Sequence, residues 1–310
     1  SNTKIVTSVA AMMLYEQGAF DLDTPLSEFL PAFAEPAVLR PNAASTADVE
    51  PLAAPITMRQ VLSHSAGFSY GFIEPDSVID QAYMAAGVSA MANQGLTLET
   101  LCDGLAALPL AYQPGTSWRY SLATDVLARV VEVISGQRFD AFLREKIFDP
   151  LDMSDTDFHV PPEKQDRFTT MYAPVDLLTP MKGGLVKADD PHTGSYCQPP
   201  TLLSGGGGLV STVADYVTFL RALVNGGEWR GVHLLKPATL SLMRTNQLPA
   251  GVTVAFPMWE MSDTVFGLGF ALKQKAGPDE PETATDGTTG AAWPAPIPGW
   301  RRGRTSPGCA

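Results

Sequence analysis

Ser1-Asn2-Thr3-Lys4-Ile5-Val6-Thr7-Ser8-Val9-Ala10-Ala11-Met12-Met13-Leu14-Tyr15-Glu16-Gln17-Gly18 is the stretch on which the reading of the fold turns. Ile5, Val6, Val9, Met12 and Met13 recur at the spacing of one helical face, and Gly18 follows as a C-cap, so residues 3–17 are predicted to form a buried helix. Ser1 and Lys4 stand one turn apart at its head, on one face. A desolvated lysine amine beside a hydroxyl can take its proton, and a helix N-terminus favours negative charge developing on oxygen. S-x-x-K also recurs by chance, and from these four residues alone a capping serine followed by a solvated lysine is the commoner reading.

Outward from this helix the chain alternates helices with long irregular stretches. Pro25, behind Asp23 and Thr24, fits a first helical position for residues 21–33, and residues 36–55 read as a loop. Thr57 with Gln60 forms a capping box for a short helix running to about His64, after which residues 65–75 are irregular. A helix is predicted over 97–107, then a turn at Gln113-Pro114-Gly115. Ser121 is placed to cap an amphipathic helix through Val126, Leu127, Val130, Val131 and Ile134, which Gly136 ends. Helix is expected again at 139–148, short β pieces at 157–160 and 168–175, and no regular structure at 178–200. Thr212 caps a helix to Val224 that Gly226-Gly227 stops, Lys236-Pro237 starts another through Arg244, and residues 266–273 look like a strand. The domain boundary falls at about 275. Residues 276–310 turn Pro- and Gly-rich with few aliphatic side chains, too little apolar area to offset ordering entropy, and are expected to be an irregular tail.

At 310 residues, 45% hydrophobic and 17% charged, the sequence describes a globular chain long enough for one large domain or two ordinary ones. A net charge of −12 gives no basic surface for phosphate neutralisation, so nucleic acid is not an expected partner, nor is an anionic membrane surface. No apolar run is long enough for a membrane span, so a soluble chain is expected. Cys102, Cys197 and Cys309 lie far apart and odd in number, and His64, His159, His192 and His233 stand singly, so neither a disulfide framework nor a metal site is expected. Tyr120-Ser121, at the mouth of a helix, is a second candidate for chemistry, because a tyrosinate beside a lysine can shuttle a proton. A half-buried tyrosine that only caps a core is the commoner role.

Five stretches then occur in a telling order: Ser1-Asn2-Thr3-Lys4; Ile56 through His64-Ser65-Ala66-Gly67; Pro114-Gly115-Thr116-Ser117-Trp118-Arg119-Tyr120-Ser121; Gly205 to Asp215; and Phe266-Gly267-Leu268-Gly269-Phe270. Together, over roughly 1–273, they resemble the serine β-lactamase-like hydrolases, which include class C β-lactamases, DD-peptidases and the family VIII carboxylesterases. Tyr120-Ser121-Leu122 departs from the Y-x-N of true β-lactamases, and Y-S-x followed by Ala123 and, further on, Asp125 is nearer the esterase branch. The resemblance implies an α+β fold, an antiparallel sheet flanked by helices and joined to a mainly helical part, with the active site in the cleft between them. It implies Ser1 as nucleophile, Lys4 as general base and Tyr120 as proton relay to the leaving alcohol, with no cofactor and no metal. The implied substrate is a small ester, or alternatively a β-lactam or D-amino-acid peptide. His64 is expected to serve packing and turn formation, and the glycines at 205–208 to let backbone pass near the cleft.

Two departures set further expectations. The family pattern has sheet strands before its S-x-x-K serine, and a third motif, K-T-G, H-x-G or W-G-G, after Phe270; neither is present in the sequence. The fold is therefore expected to be incomplete at both ends, with an ammonium at Ser1 altering the oxyanion-hole donor, low solubility and weak or absent activity. Residues 289–300, back-translated with permitted codons and read one frame over, give W-G-G-M-A-G-T-H-S-W-M, so a frameshift between about Lys275 and Thr289 is expected to have replaced the native continuation. The competing readings are an N-terminal-nucleophile hydrolase, with the Ser1 amine as base, and a non-catalytic binding module or inactive fragment. A bacterial cytoplasm and a periplasm both remain open, as does the oligomeric state.

Overall fold

The computed structural model describes residues 2–88, 95–175, 182–256, 261 and 263–274, with the backbone of 287–289 and 300–301. Ser1 lies outside the described residues, as does most of the segment in which the out-of-frame W-G-G was read.

Helix α1 (Thr3–Glu16) forms where its apolar periodicity predicts it, and Gly18, at φ 75°, reverses the chain behind it. Its first three turns are buried on every side, from Thr3 to Met12, so this is a central helix rather than a surface one. After it the expected helix at 21–33 is only two single 3-10 turns, Leu26–Glu28 and Pro31–Phe33. Pro31 lacks the N–H that an α-helix would need there, and Pro25 is extended. Strands β1 (Val38–Leu39) and β2 (Val49–Glu50) pair antiparallel within the predicted loop.

Helix α2 (Met58–Leu62) has its complete capping box: Thr57 accepts from the Gln60 N–H while the Gln60 side chain accepts from the Thr57 N–H. Helix α3 (Val78–Ala85) had no sequence reading; Ser77 caps it by accepting from the Asp80 N–H. Helices α4 (Leu98–Ala106) and α5 (Ala123–Ser135) match their predicted spans, and Gly136 ends α5 in the left-handed region at φ 67°. Ser121 does not stand at the expected N-cap, which is Leu122; its hydroxyl lies 3.4 Å from the Ala123 N–H and 3.1 Å from His64 Nδ1. Helix α6 (Phe139–Leu143) continues through a wider π turn, Arg144–Phe148.

The expected β piece at 157–160 reduces to a single bridge between Asp157 and Val210. Strands β3 (Met171–Pro174) and β4 (Leu185–Asp189) make an exposed hairpin, β4 arising inside the stretch predicted to be irregular. Then come α7 (Val213–Val224), capped by Thr212, the short strands β5 (Glu228–Trp229) and β6 (Val232–His233), and α8 (Pro237–Met243), with Pro at its first position. The predicted strand at 266–273 is a tight hairpin instead, β7 (Thr264–Phe266) and β8 (Ala271–Lys273), because Gly269 at φ 84° turns the chain between them. A Cβ on Gly269 would fall 2.2 Å from Ser8 Oγ, so this glycine lets the hairpin tip lie directly on α1. Strands β9 (Gly287–Thr289) and β10 (Trp300–Arg301) extend the hairpin into an antiparallel sheet of order β10-β9-β8-β7.

The architecture is α+β, as the resemblance implied. Helix α1 lies between α5 on one side and the sheet hairpin on the other, and one continuous apolar core surrounds it. That core carries the head of α1, with Lys4, into the interior. Among the described residues no helix is long and apolar enough to cross a membrane.

Candidate active site

Lys4 is buried, at 5% exposure, in the first turn of α1. Its amine donates to the Tyr70 hydroxyl at 2.5 Å and to the Gly206 carbonyl at 2.6 Å. The same nitrogen stands 4.8 Å from the centroid of the Tyr120 ring and 5.2 Å from that of Tyr70. Burial pulls its pKa down from 10.5 to about 8, against the opposing pull of the Asp125 carboxylate. A neutral amine has two N–H donors and one lone pair, so with both N–H groups engaged the lone pair is the direction left for a proton to arrive.

Two of the three residues expected at the site, Lys4 and Tyr120, are thus brought together from segments more than a hundred residues apart. Tyr120 is buried in an aromatic wall with Tyr70, His64 and Phe256, their ring centroids 5.1–5.8 Å from its own. The third, Ser1, lies outside the described residues.

His64 sits in the left-handed region at φ 57°, where its carbonyl accepts from the Arg119 N–H at 3.0 Å and from the Tyr112 hydroxyl at 3.4 Å. Burial, with the Lys4 charge nearby, pulls its pKa down to about 3, so the ring is neutral and packs edge-on against Phe266. It makes the turn and the wall, in keeping with the expectation.

The glycine run passes backbone along α1. Thr7 Oγ1 donates to the Gly205 carbonyl at 2.8 Å, and the Leu209 N–H donates to Thr3 Oγ1 at 3.1 Å. A Cβ on Gly205 would meet the Thr124 carbonyl oxygen at 2.5 Å, so only glycine fits between α1 and α5 there.

Sequence reasoning gave no role to two residues that the structure sets beside Lys4. Tyr70 stands in a segment with no periodicity to flag it; burial and nearby negative charge keep its hydroxyl well above the usual tyrosine range, so it acts as a neutral partner to the amine. Asp125, in the first turn of α5, is fully buried and accepts from Ser204 Oγ at 2.5 Å and from the Gly206 N–H at 3.2 Å. It entered the sequence reading only as part of the Y-S-x pattern, and its position in the first turn of an amphipathic helix, where acids ordinarily answer the helix dipole from the surface, gave no sign of its burial. Among the described residues no His, Cys, Asp and Glu side chains cluster as a metal site requires.

A central helix bearing a buried lysine at its head, packed between a second helix and an antiparallel sheet, defines the β-lactamase and penicillin-binding-protein-like class of fold. The chain belongs to the beta-lactamase family, whose model matches residues 1–300. It is 31% identical over 304 residues to Protein Rv1367c of Mycobacterium tuberculosis, an alignment covering 97% of this chain and 72% of that one. It is 34% identical over 248 residues to a lovastatin esterase of Penicillium rubens, covering 78% of this chain and 57% of the esterase. Among solved structures, EstCE1, described as a hydrolase with promiscuous acyltransferase activity, superposes with a TM-score of 0.70 at 24% identity, over 93% of this chain and 74% of that one. The family is thus one of β-lactamase-fold hydrolases and acyltransferases, and the relatives of this chain include esterases and acyltransferases.

Proposed function

We propose that this protein is a serine carboxylesterase that cleaves small esters through an acyl-enzyme, with Ser1 as nucleophile, Lys4 as general base and Tyr120 as proton relay. The observation that carries the reading is the Lys4 amine: buried, brought down to about 8, its N–H groups spent on Tyr70 and Gly206, and set against the Tyr120 ring. In the first half-reaction the Ser1 oxygen bonds to the ester carbonyl carbon while its proton passes to the Lys4 lone pair. The carbon–alkoxide bond breaks, and Tyr120 delivers the proton to the departing alcohol. In the second, water attacks the acyl-serine, the same groups move its proton in reverse order, and the carboxylic acid leaves. An ester is favoured over a β-lactam because Leu122 stands two residues after the relay tyrosine, where Y-x-N has its asparagine.

The test compares hydrolysis of a short-chain p-nitrophenyl ester with that of a chromogenic cephalosporin, by the wild-type chain and by Ser1→Ala. Ester turnover that exceeds cephalosporin turnover, and that Ser1→Ala abolishes, supports the proposal. Faster cephalosporin cleavage, or full ester activity in Ser1→Ala, overturns it.

A further inference from the structure

Behind the lysine, the turn at 204–206 meets the first turn of α5 around one carboxylate. Asp125 Oδ1 accepts twice where they meet, from Ser204 Oγ at 2.5 Å and from the Gly206 N–H at 3.2 Å. Asp125 Oδ2 is buried with no hydrogen-bond partner among the described residues. An orphaned carboxylate oxygen in a core is costly, and a fold keeps one where something offsets it.

Gly206 shows where that oxygen points. A Cβ there would lie 2.6 Å from Asp125 Oδ2, 3.0 Å from Lys4 Nζ and 3.0 Å from the Tyr70 hydroxyl. The three polar atoms converge on the one spot that glycine leaves open, which sets carboxylate and amine within the roughly 4–6 Å over which an opposite charge favours the charged form. The backbone of this same residue is shared between the two side chains: its N–H goes to Asp125 and its carbonyl receives Lys4.

We propose that Asp125 is the positioning residue of the general base: it fixes the 204–206 turn so that the Gly206 carbonyl aims the Lys4 amine, and its charge stands behind that amine. The inference rests on the esterase reading above and deepens it. Asp125 acts twice, through shape by way of Ser204 and Gly206, and through charge directly on Lys4; burial pushes its own carboxyl pKa up, and the Lys4 charge with the Ser204 and Gly206 bonds opposes that push and favours the carboxylate. The other groups facing the pair do not compete for the charge. Burial and the Asp125 carboxylate both push the Tyr70 hydroxyl and the Cys102 thiol of α4 upward, so each stays neutral, and His64 is neutral for want of solvent.

The test is the pH profile of kcat/KM on a p-nitrophenyl ester for wild type, Asp125→Asn and Ser204→Ala. Asp125→Asn keeps the size and one acceptor oxygen but removes the charge that raises the Lys4 pKa. Its kcat is expected to fall, with the acid limb of the profile moving to lower pH by about one unit or more. Ser204→Ala keeps the charge and loosens the turn, and is expected to lower kcat with KM little changed and no comparable downward move of the limb. A limb at the wild-type pH in Asp125→Asn overturns the inference even if the rate drops, since loss of packing alone does not move it. Should Asp125→Asn fail to fold, wild-type kinetics in Ser204→Ala overturn the inference and a reduced kcat supports it. If the wild-type chain hydrolyses no ester, the esterase reading fails by itself. The pair is then read by urea unfolding against pH, where the stability gained as Lys4 loses its proton should set in at lower pH in Asp125→Asn than in wild type. An unchanged onset counts against the inference.

Discussion

Two buried charge clusters lie close together in this fold and are built on opposite principles. In one, Asp80 of α3, with no exposure, accepts from Ser69 Oγ and from Arg119 Nη2 at 3.1 Å on one oxygen, and from the Glu74 N–H at 2.7 Å on the other. Arg119 spends the rest of its fork on Ser69 Oγ, at 2.7 Å, and on Glu74. In the other, Asp125 leaves one oxygen unpartnered and Lys4 is drawn down to about 8. The first cluster is closed, and a closed ion pair holds backbone in place. The second keeps unspent charge, the condition that the proton transfer proposed above requires. They are joined along the chain: Ser69 precedes Tyr70, Arg119 precedes Tyr120, and the Leu122 N–H donates to the Ser69 carbonyl at 3.1 Å. The closed cluster therefore sets the spacing of the two tyrosines between which the open one works.

The sharpest way to separate the two is to remove the charge from each. Lys4→Met fills the same space without an amine and is expected to lower ester kcat by about 10²–10⁴-fold, the range of a lost general base. The check is kcat alongside a melting curve that shows a cooperative transition. Asp80→Ala should do the reverse. It takes the buried carboxylate from Arg119, which keeps Ser69 and the exposed Glu74, and costs about 3 kcal/mol of stability by urea unfolding, the low end of the range for breaking a buried pair from one side. Specific activity per folded molecule should change far less than in Lys4→Met.

How much of this was legible beforehand follows the same division between local and long-range causes. Helices α1, α2, α5, α7 and α8 were readable because periodicity, a capping box, Gly136, Thr212 and Pro237 are written into neighbouring residues. Lys4 and Tyr120 came into view through ordered motifs that resemble a known family. Tyr70 did not, and Asp125 was named only as part of the Tyr120 motif with no role, because nothing near them in sequence says that α1, α5 and the glycine turn converge there. The hairpin of β3 and β4 escaped for a related reason. Met171, Tyr172, Leu185 and Val186 are all exposed, so the strands lack the alternation that burying one face imposes.

The pH dependence of stability distinguishes the clusters without any assay of activity. Lys4 has its folded pKa below the ordinary value, so between about 8 and 10.5 the unfolded chain binds more protons than the folded one. Its contribution to stability therefore rises with pH across that window, by a few kcal/mol, and is unfavourable below it. Urea midpoints measured from pH 7 to 10.5 should show this rise in wild type and in Asp80→Ala, and should lose it in Lys4→Met. A rise that survives in Lys4→Met would assign it to another group and remove the open cluster from the account.

The smallest effect tests whether the closed cluster is scaffold and nothing more. Ser77 caps α3 by accepting from the N–H of Asp80 at 3.3 Å, so it holds the backbone that delivers the carboxylate without touching Arg119 or either tyrosine. Ser77→Ala should cost about 1 kcal/mol, the ordinary loss of an N-cap, visible as a lower urea midpoint with an unchanged slope. Ester kcat and its pH profile should stay at wild-type values, because Asp80 keeps its bonds to Ser69, Arg119 and the Glu74 backbone. A profile that shifted in this variant would mean that the spacing of Tyr70 and Tyr120 yields to small movements of α3. The closed cluster would then belong to the tuning of the lysine, and the contrast between the two would reduce to one of degree.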